Sequence, residues 1–251
     1  MADTLNDRFI KACKNQNKIM KQELKEGKKW AYTNKKHRES TFEAARKKNN
    51  RLTNCVDGCH WAAKAAGCPA NALSLYGGMG GPVWCNPNAE KNAKKVFDLI
   101  PIGKSVNTAL KKHLLCEGDM LVYTTITHTN TYLGKKKSFD SGHAYCKSGG
   151  ELAEFTKWIG NTPYGDQKIS YVFRFKDRTH YRVICGVYKR RENAIEKADR
   201  VNSMKLGFKV TINELDNMYK VQAGYFDGKE NAEWRRDTLK EAGVDAFISE
   251  V

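Results

Sequence analysis

Long apolar runs are missing from this 251-residue chain, and nothing in it approaches the roughly 18 consecutive apolar residues that a membrane span needs. Stable membrane insertion is therefore not expected. The opening residues, MADTLNDRFIKACKNQNK, place acids early and lack the apolar core of a signal peptide, so the chain shows no secretion address and cytoplasmic synthesis is expected. Paired C-x-x-C spacing is missing too. The eight cysteines are Cys13, Cys55, Cys59, Cys68, Cys85, Cys116, Cys146 and Cys185, in a chain that is neither short nor signal-bearing, which argues against a disulfide framework and for reduced thiols. Acids are outnumbered as well, 28 against 44 Lys and Arg, for a formal charge of +16.

That charge is uneven. Residues 1–54 hold 15 basic and 6 acidic side chains, residues 55–178 hold 16 and 10, and residues 179–251 hold 13 and 12. The first two thirds thus face an anionic partner, while the last third is nearly neutral; charge alone does not name that partner.

The last third contains a repeat. YRVICGVYKRRENA (181–194) lies over YKVQAGYFDGKENA (219–232) at an offset of 38 without a gap. Each copy alternates apolar and polar residues, turns at Gly, runs as a helix of about three turns, stops at Gly207 or Gly243 and resumes as a strand. Two βαβ units of this kind make a small ferredoxin-like βαββαβ domain over 179–251. The alternation turns Val183, Cys185, Val221 and Ala223 inward and Arg182, Ile184, Lys220 and Gln222 outward.

Upstream, helices come first and strands second, the order of an α+β domain over 1–177. Leu5, Phe9, Cys13, Met20 and Leu24 share one face of a helix ending near Gly27, with lysines on its solvated side. STFEAARKK forms a second helix, with Ser40 or Thr41 as cap and Glu43 completing a capping box. NCVDGCHWAAKAAG forms a third, and another lies near 88–98. The Gly- and Pro-rich LYGGMGGPVWCNPNA reads as a loop. After EGD (117–119) the pattern turns to β, from MLVYTTITHTNTYLG across GKKK to SFDSGHAYC.

Chemistry concentrates in the third helix. Thr53 or Asn54 caps it, leaving Cys55 in the first turn, where unpaired N–H groups and the helix dipole favour a thiolate. Cys59 lies one turn deeper and packs inward, and His60 points elsewhere. A zinc site from Cys55, Cys59, His60 and Cys68 would need incompatible directions on one helix, and a Cys55/Cys59 redox pair lacks the usual spacing, so no metal and no cofactor are expected. A base must come from the β half. His128, in the alternating strand, and His143 both qualify, and geometry prefers His128. If strands 128–133 and 137–142 pair across the GKK turn, Asp140 is placed to orient its imidazole. Cys55, His128 and Asp140 then read as nucleophile, base and orienter.

NCVDGCHWAAKAAG followed by EGDMLVYTTITHTNTYLGKKKSFDSG resembles the NlpC family of papain-like cell-wall cysteine peptidases over roughly residues 50–176. The resemblance implies a papain-like domain of N-terminal helices and an antiparallel sheet, with Cys55 as nucleophile and His128 as base. The third polar residue of that family, often His, falls on Asp140 here, and His143 is its rival. Asn54-Cys55-Val56-Asp57 stands where Asp-Cys-Ser-Gly is usual.

The repeat resembles the SPOR domain, a peptidoglycan-binding module, which implies that Arg182, Lys220 and Gln222 meet a glycan strand. Ile184 replaces a glutamine of that family's pattern. Together the two resemblances imply an endolysin-like peptidoglycan hydrolase that acts on the wall after release, from a phage or a bacterium, cutting within the stem peptide, at a cross-bridge or at the amide joining lactyl to L-alanine. Two other readings are kept: a peptidoglycan-binding protein without activity, and an RNA-binding ferredoxin-like domain. The near-neutral repeat and the missing aromatic signature of an RNA-recognition strand oppose the latter, so no nucleic-acid partner is expected.

Overall fold

The computed structural model describes residues 2–32, 39–49, 51–73, 88–124, 128–139, 153–154, 158–159 and 162–251. The chain divides into two compact units, Met1–Arg178 and Thr179–Val251.

The first unit opens with α1 (Leu5–Lys25), which starts because Thr4 and Asp7 form a reciprocal capping box. Its apolar stripe, Phe9, Cys13 and Met20, is buried in the main core. Then come β1 (Trp30–Tyr32), α2 (Phe42–Arg46) and β2 (Arg51–Thr53), with β1 and β2 paired in parallel. Thr41 caps α2 through the Ala44 amide at 3.2 Å. Glu43 stands one position too early to close a capping box on Thr41; its carboxylate pairs with Arg46 instead.

Next are α3 (Cys55–Ala65), a short 3₁₀ turn at Ala70–Leu73, α4 (Ala89–Val96), β3 (Phe97–Ser105) and α5 (Val106–Lys111). The strands that follow are β4 (Met120–Tyr123), β5 (Thr129–Tyr132), β6 (Lys137–Phe139), β7 (Ala153–Glu154), β8 (Trp158–Ile159), β9 (Thr162–Pro163) and β10 (Lys168–Phe175). β8 and β9 pair with each other. The others form one six-stranded sheet in the order β3-β10-β4-β5-β6-β7, antiparallel throughout. One core cluster joins Met120, Val122, Leu133, Phe139, Phe173 and Phe175 to α1 and α3. A second joins Leu121, Tyr123, Tyr132, Ile169 and Val172 to Val106 and Ala109 of α5. The alternation along β4 divides these residues between the two clusters.

The MLVYTTITHTNTYLG stretch is two strands rather than one, and His128 stands just before β5, not within it. The pairing across GKK is present, with Thr131 opposite Phe139 and Tyr132 opposite Ser138. Gly134, Lys135 and Lys136 all take positive φ to make that turn.

The second unit comprises β11 (Tyr181–Tyr188), α6 (Arg191–Ser203), β12 (Thr211–Leu215), β13 (Met218–Phe226), α7 (Lys229–Glu241) and β14 (Phe247–Glu250). Its antiparallel sheet has the order β12-β13-β11-β14, that of a ferredoxin-like βαββαβ domain. The repeat explains its own glycines. A Cβ on Gly186 would lie 2.6 Å from the Tyr188 ring, and one on Gly224 would lie 2.6 Å from the Phe226 ring. In each copy an aromatic two residues on folds back over the space a side chain would need. Val183, Cys185, Val221 and Ala223 join the core.

Candidate functional site

Cys55 heads α3. The Asn54 side-chain oxygen accepts hydrogen bonds from the amides of Val56 at 3.0 Å and Asp57 at 2.9 Å, so Asn54, not Thr53, is the cap. This places a buried thiol in the first turn of an 11-residue helix, where the dipole favours negative charge.

α3 packs on β5, and Cys59 marks the contact, its Sγ lying 3.3 Å from Thr131 Oγ1. Cys55 is one turn back along the helix, and His128 is three residues before Thr131 in the chain. The His128 ring stacks on Tyr123, centroids 6.1 Å apart, and the Tyr123 hydroxyl donates to Asn130 Oδ1 at 3.0 Å. Asp140 and His143 lie outside the described residues, as do Cys85, Cys146 and the GGMGGPVW segment.

Two features that sequence reasoning missed hold this region. In the parallel β1–β2 pair, Tyr32 stands opposite Thr53, two residues before Cys55. Glu23 binds the same pair: its buried carboxylate accepts from Trp30 Nε1 at 2.9 Å and Arg46 Nε at 2.8 Å and lies 3.5 Å from Arg51 Nε. Trp30, Phe42 and Trp61 pack on one another, with centroids 5.6 to 6.4 Å apart. The second is Asp119, fully buried before β4. It accepts from Arg174 Nε at 2.9 Å, Arg174 Nη2 at 2.7 Å and the Cys116 amide at 2.8 Å. The lone Arg among the apolar residues of VFRF was the available signal for that partner.

Two other thiols of this unit are held protonated. Burial pushes the Cys68 thiol up to about 12 and holds that of Cys13 well above its usual range. Both are therefore protonated at pH 8. Alkylation of the native protein at that pH, read by mass spectrometry, is expected to leave Cys13 and Cys68 unmodified until denaturant is added; rapid native labelling of either would contradict this. Among the described residues, no group of three or more His, Cys, Asp or Glu side chains is placed to hold a metal ion.

In the second unit, Arg182 lies over the Tyr225 ring, which stacks on His180. Lys220 pairs with Asp216 at 2.6 Å, and Gln222 accepts from Asn213 Nδ2 at 3.2 Å. Arg182, Lys220 and Gln222 are all half-buried. Ile184 stays out of the core cluster, yet it is 3% exposed, set between Gln222 and Phe247 of the flanking strands; the expected open position is covered.

Residues 177–250 match the model of the SPOR domain. The C-terminal unit is thus a SPOR domain with a sheet-and-helix fold. Among solved structures, the chain is similar to the solution structure of the peptidoglycan binding domain of the B. subtilis cell wall lytic enzyme CwlC. Identity is 32% over 30% of this chain and 94% of that one, with a TM-score of 0.28. No curated protein matches the chain. Among the described residues no helix is long and apolar enough to cross a membrane.

Proposed function

We propose that this protein is a peptidoglycan hydrolase whose SPOR domain holds the wall while a thiolate at Cys55 cuts an amide of the stem peptide. The SPOR domain indicates peptidoglycan binding and supports the choice of polymer. The observation that carries the chemistry is Cys55 at the capped start of a helix packed on the strand that begins one residue after His128.

In this reading His128 takes the Cys55 proton, the thiolate attacks the amide carbonyl, the C–N bond breaks as His128 gives that proton to the leaving amine, and water, deprotonated by His128, resolves the acyl-enzyme to a carboxylate and free thiol. The Cys55 amide is the proposed oxyanion donor. Asp140 is the proposed orienter of His128. Arg182, Lys220 and Gln222 are the proposed glycan contacts on the SPOR sheet. The setting that fits these parts is endolysin-like, with action on the wall after release.

Digestion of purified wall, with the new amino termini or freed sugars identified by mass spectrometry, tests the reaction and names the bond. His128→Ala is expected to lower the rate by about 10²- to 10⁴-fold, the range of a general base. Asp140→Asn is expected to cause a smaller loss, and a larger effect from His143→Ala would move the orienting role there. If the native protein releases neither amino termini nor sugars from wall, the hydrolase reading fails and the wall-binding one remains.

A further inference from the structure

The solvent face of α1 carries Lys11, Lys14, Lys18, Lys21 and Lys25 at steps of three and four residues. At 3.6 residues per turn these five share an arc of about 80°, opposite the buried Phe9, Cys13 and Met20, and run about 21 Å along the axis. Lys11, Lys14, Lys18 and Lys25 are exposed, and Lys21 is half-buried. Lys11 pairs with Asp3 at the start of the helix. Among the described residues no carboxylate pairs with the other four, and Glu23, the acid nearest in sequence to Lys21 and Lys25 within the helix, is buried on the other side. Like charges at i, i+3 and i, i+4 repel one another. The ridge is thus a line of cations, one per helical turn, that no described protein group neutralises beyond its first member.

We infer that this ridge binds a linear phosphodiester polymer of the cell wall, a polyol phosphate with one negative charge per repeat. A linear polyanion can set one charge against each lysine and release the counterions held on both. Asn15 flanks the lysines and can hydrogen-bond to polyol hydroxyls, while Gln22 donates to Glu26 at 2.9 Å. The ridge presents no aromatic ring to stack a base on and no exposed large apolar side chain to enter a bilayer, which sets it apart from single-strand nucleic-acid sites and membrane-surface helices. The choice of a wall polymer rests on the wall-binding reading of the SPOR domain in the same chain.

The test uses the full chain, poly(glycerol phosphate) as probe, and a variant with Lys14, Lys18, Lys21 and Lys25 changed to Gln, a residue of similar helix propensity. A control variant with Lys104, Lys111, Lys112 and Lys135 changed to Gln removes the same net charge elsewhere in the first unit. Four lysines unpaired among the described residues predict that native binding weakens on the order of 100-fold between 50 and 200 mM salt. The ridge variant is expected to lose at least tenfold in affinity and most of that salt slope, the control to keep both, and circular dichroism to show the same helix content in all three. Equal binding by the ridge variant, an equal loss in the control, or tighter binding to duplex DNA or to anionic lipid vesicles than to the probe would each overturn the inference. Binding to peptidoglycan stripped of phosphate polymers is read separately: it is expected to be the same in native and ridge variant, and its absence in both would sink the SPOR reading rather than the ridge.

Discussion

Cys55→Ala is expected to abolish wall lysis, by a factor on the order of 10⁶ if the thiol is the nucleophile, while the protein still binds wall. The size follows from the role: without the sulfur there is no acyl-enzyme, and only oxyanion and binding contributions remain. Binding survives because the SPOR unit has its own core, built from Val183, Val221, Ala232 and Leu239 among others. Sedimentation with wall and turbidity of a wall suspension report the two properties separately. The loss is also expected to be non-additive, so that Cys55→Ala with His128→Ala is no slower than Cys55→Ala alone. Residual lysis within tenfold of the native rate would remove Cys55 from the mechanism. Fold loss is a small risk, since Asn54 still caps α3 and the inward anchor of the helix is Cys59, one turn deeper.

Asp119→Ala is expected to cost about 3–5 kcal/mol of the stability of the first unit, because it leaves the buried Arg174 guanidinium without its partner. Arg178, also buried and 3.8 Å away, loses the same neighbour. At roughly 2–4 °C per kcal/mol for a unit of this size, the melting point falls by about 6–20 °C. Arg174 also donates to the Leu114 carbonyl at 2.9 Å and Arg178 to that of Glu117 at 3.0 Å, so the carboxylate orders the whole turn that enters β4. Replacing Asp119 and Arg174 together by Leu and Met is expected to cost less than Asp119→Ala alone, since one buried cation, Arg178, rather than two is left without the carboxylate. Calorimetry with the two units resolved checks both statements. A loss below about 1 kcal/mol for Asp119→Ala would show that water reaches the pair and that it is not the lock described.

Much of the second unit was legible because its signals are short-range. A strand alternates every two residues and a helix turns every 3.6, so two copies of one pattern spell βαβ twice without knowledge of any distant contact. Cys55 was legible for the same reason, since a cap and the thiol it exposes to the dipole are adjacent in sequence. The capping box at Glu43 failed by one position: Thr41 leads α2, so Ala44 occupies the place that Glu43 would need. His128 was read as inside a strand because MLVYTTITHTNTYLG has β composition throughout, and composition does not mark where one strand ends and its neighbour begins.

Strands β1, β2 and β3 stand among the helices that the sequence reads as coming before the strands; by itself, the sequence determined the repeat and its ferredoxin-like fold, the capped thiol of Cys55 and the lysine ridge of α1. Each of these is encoded within a few helical turns or one strand. Only the tertiary structure decided that Tyr32 stands opposite Thr53, that Glu23 ties Trp30 to Arg46 and Arg51, that Asp119 meets Arg174 and that Cys59 seats α3 on Thr131. Those partners are separated by seven to more than seventy residues. Their meeting depends on how sheets and helices pack, where one charged or polar partner is chosen by shape and burial rather than by any local period.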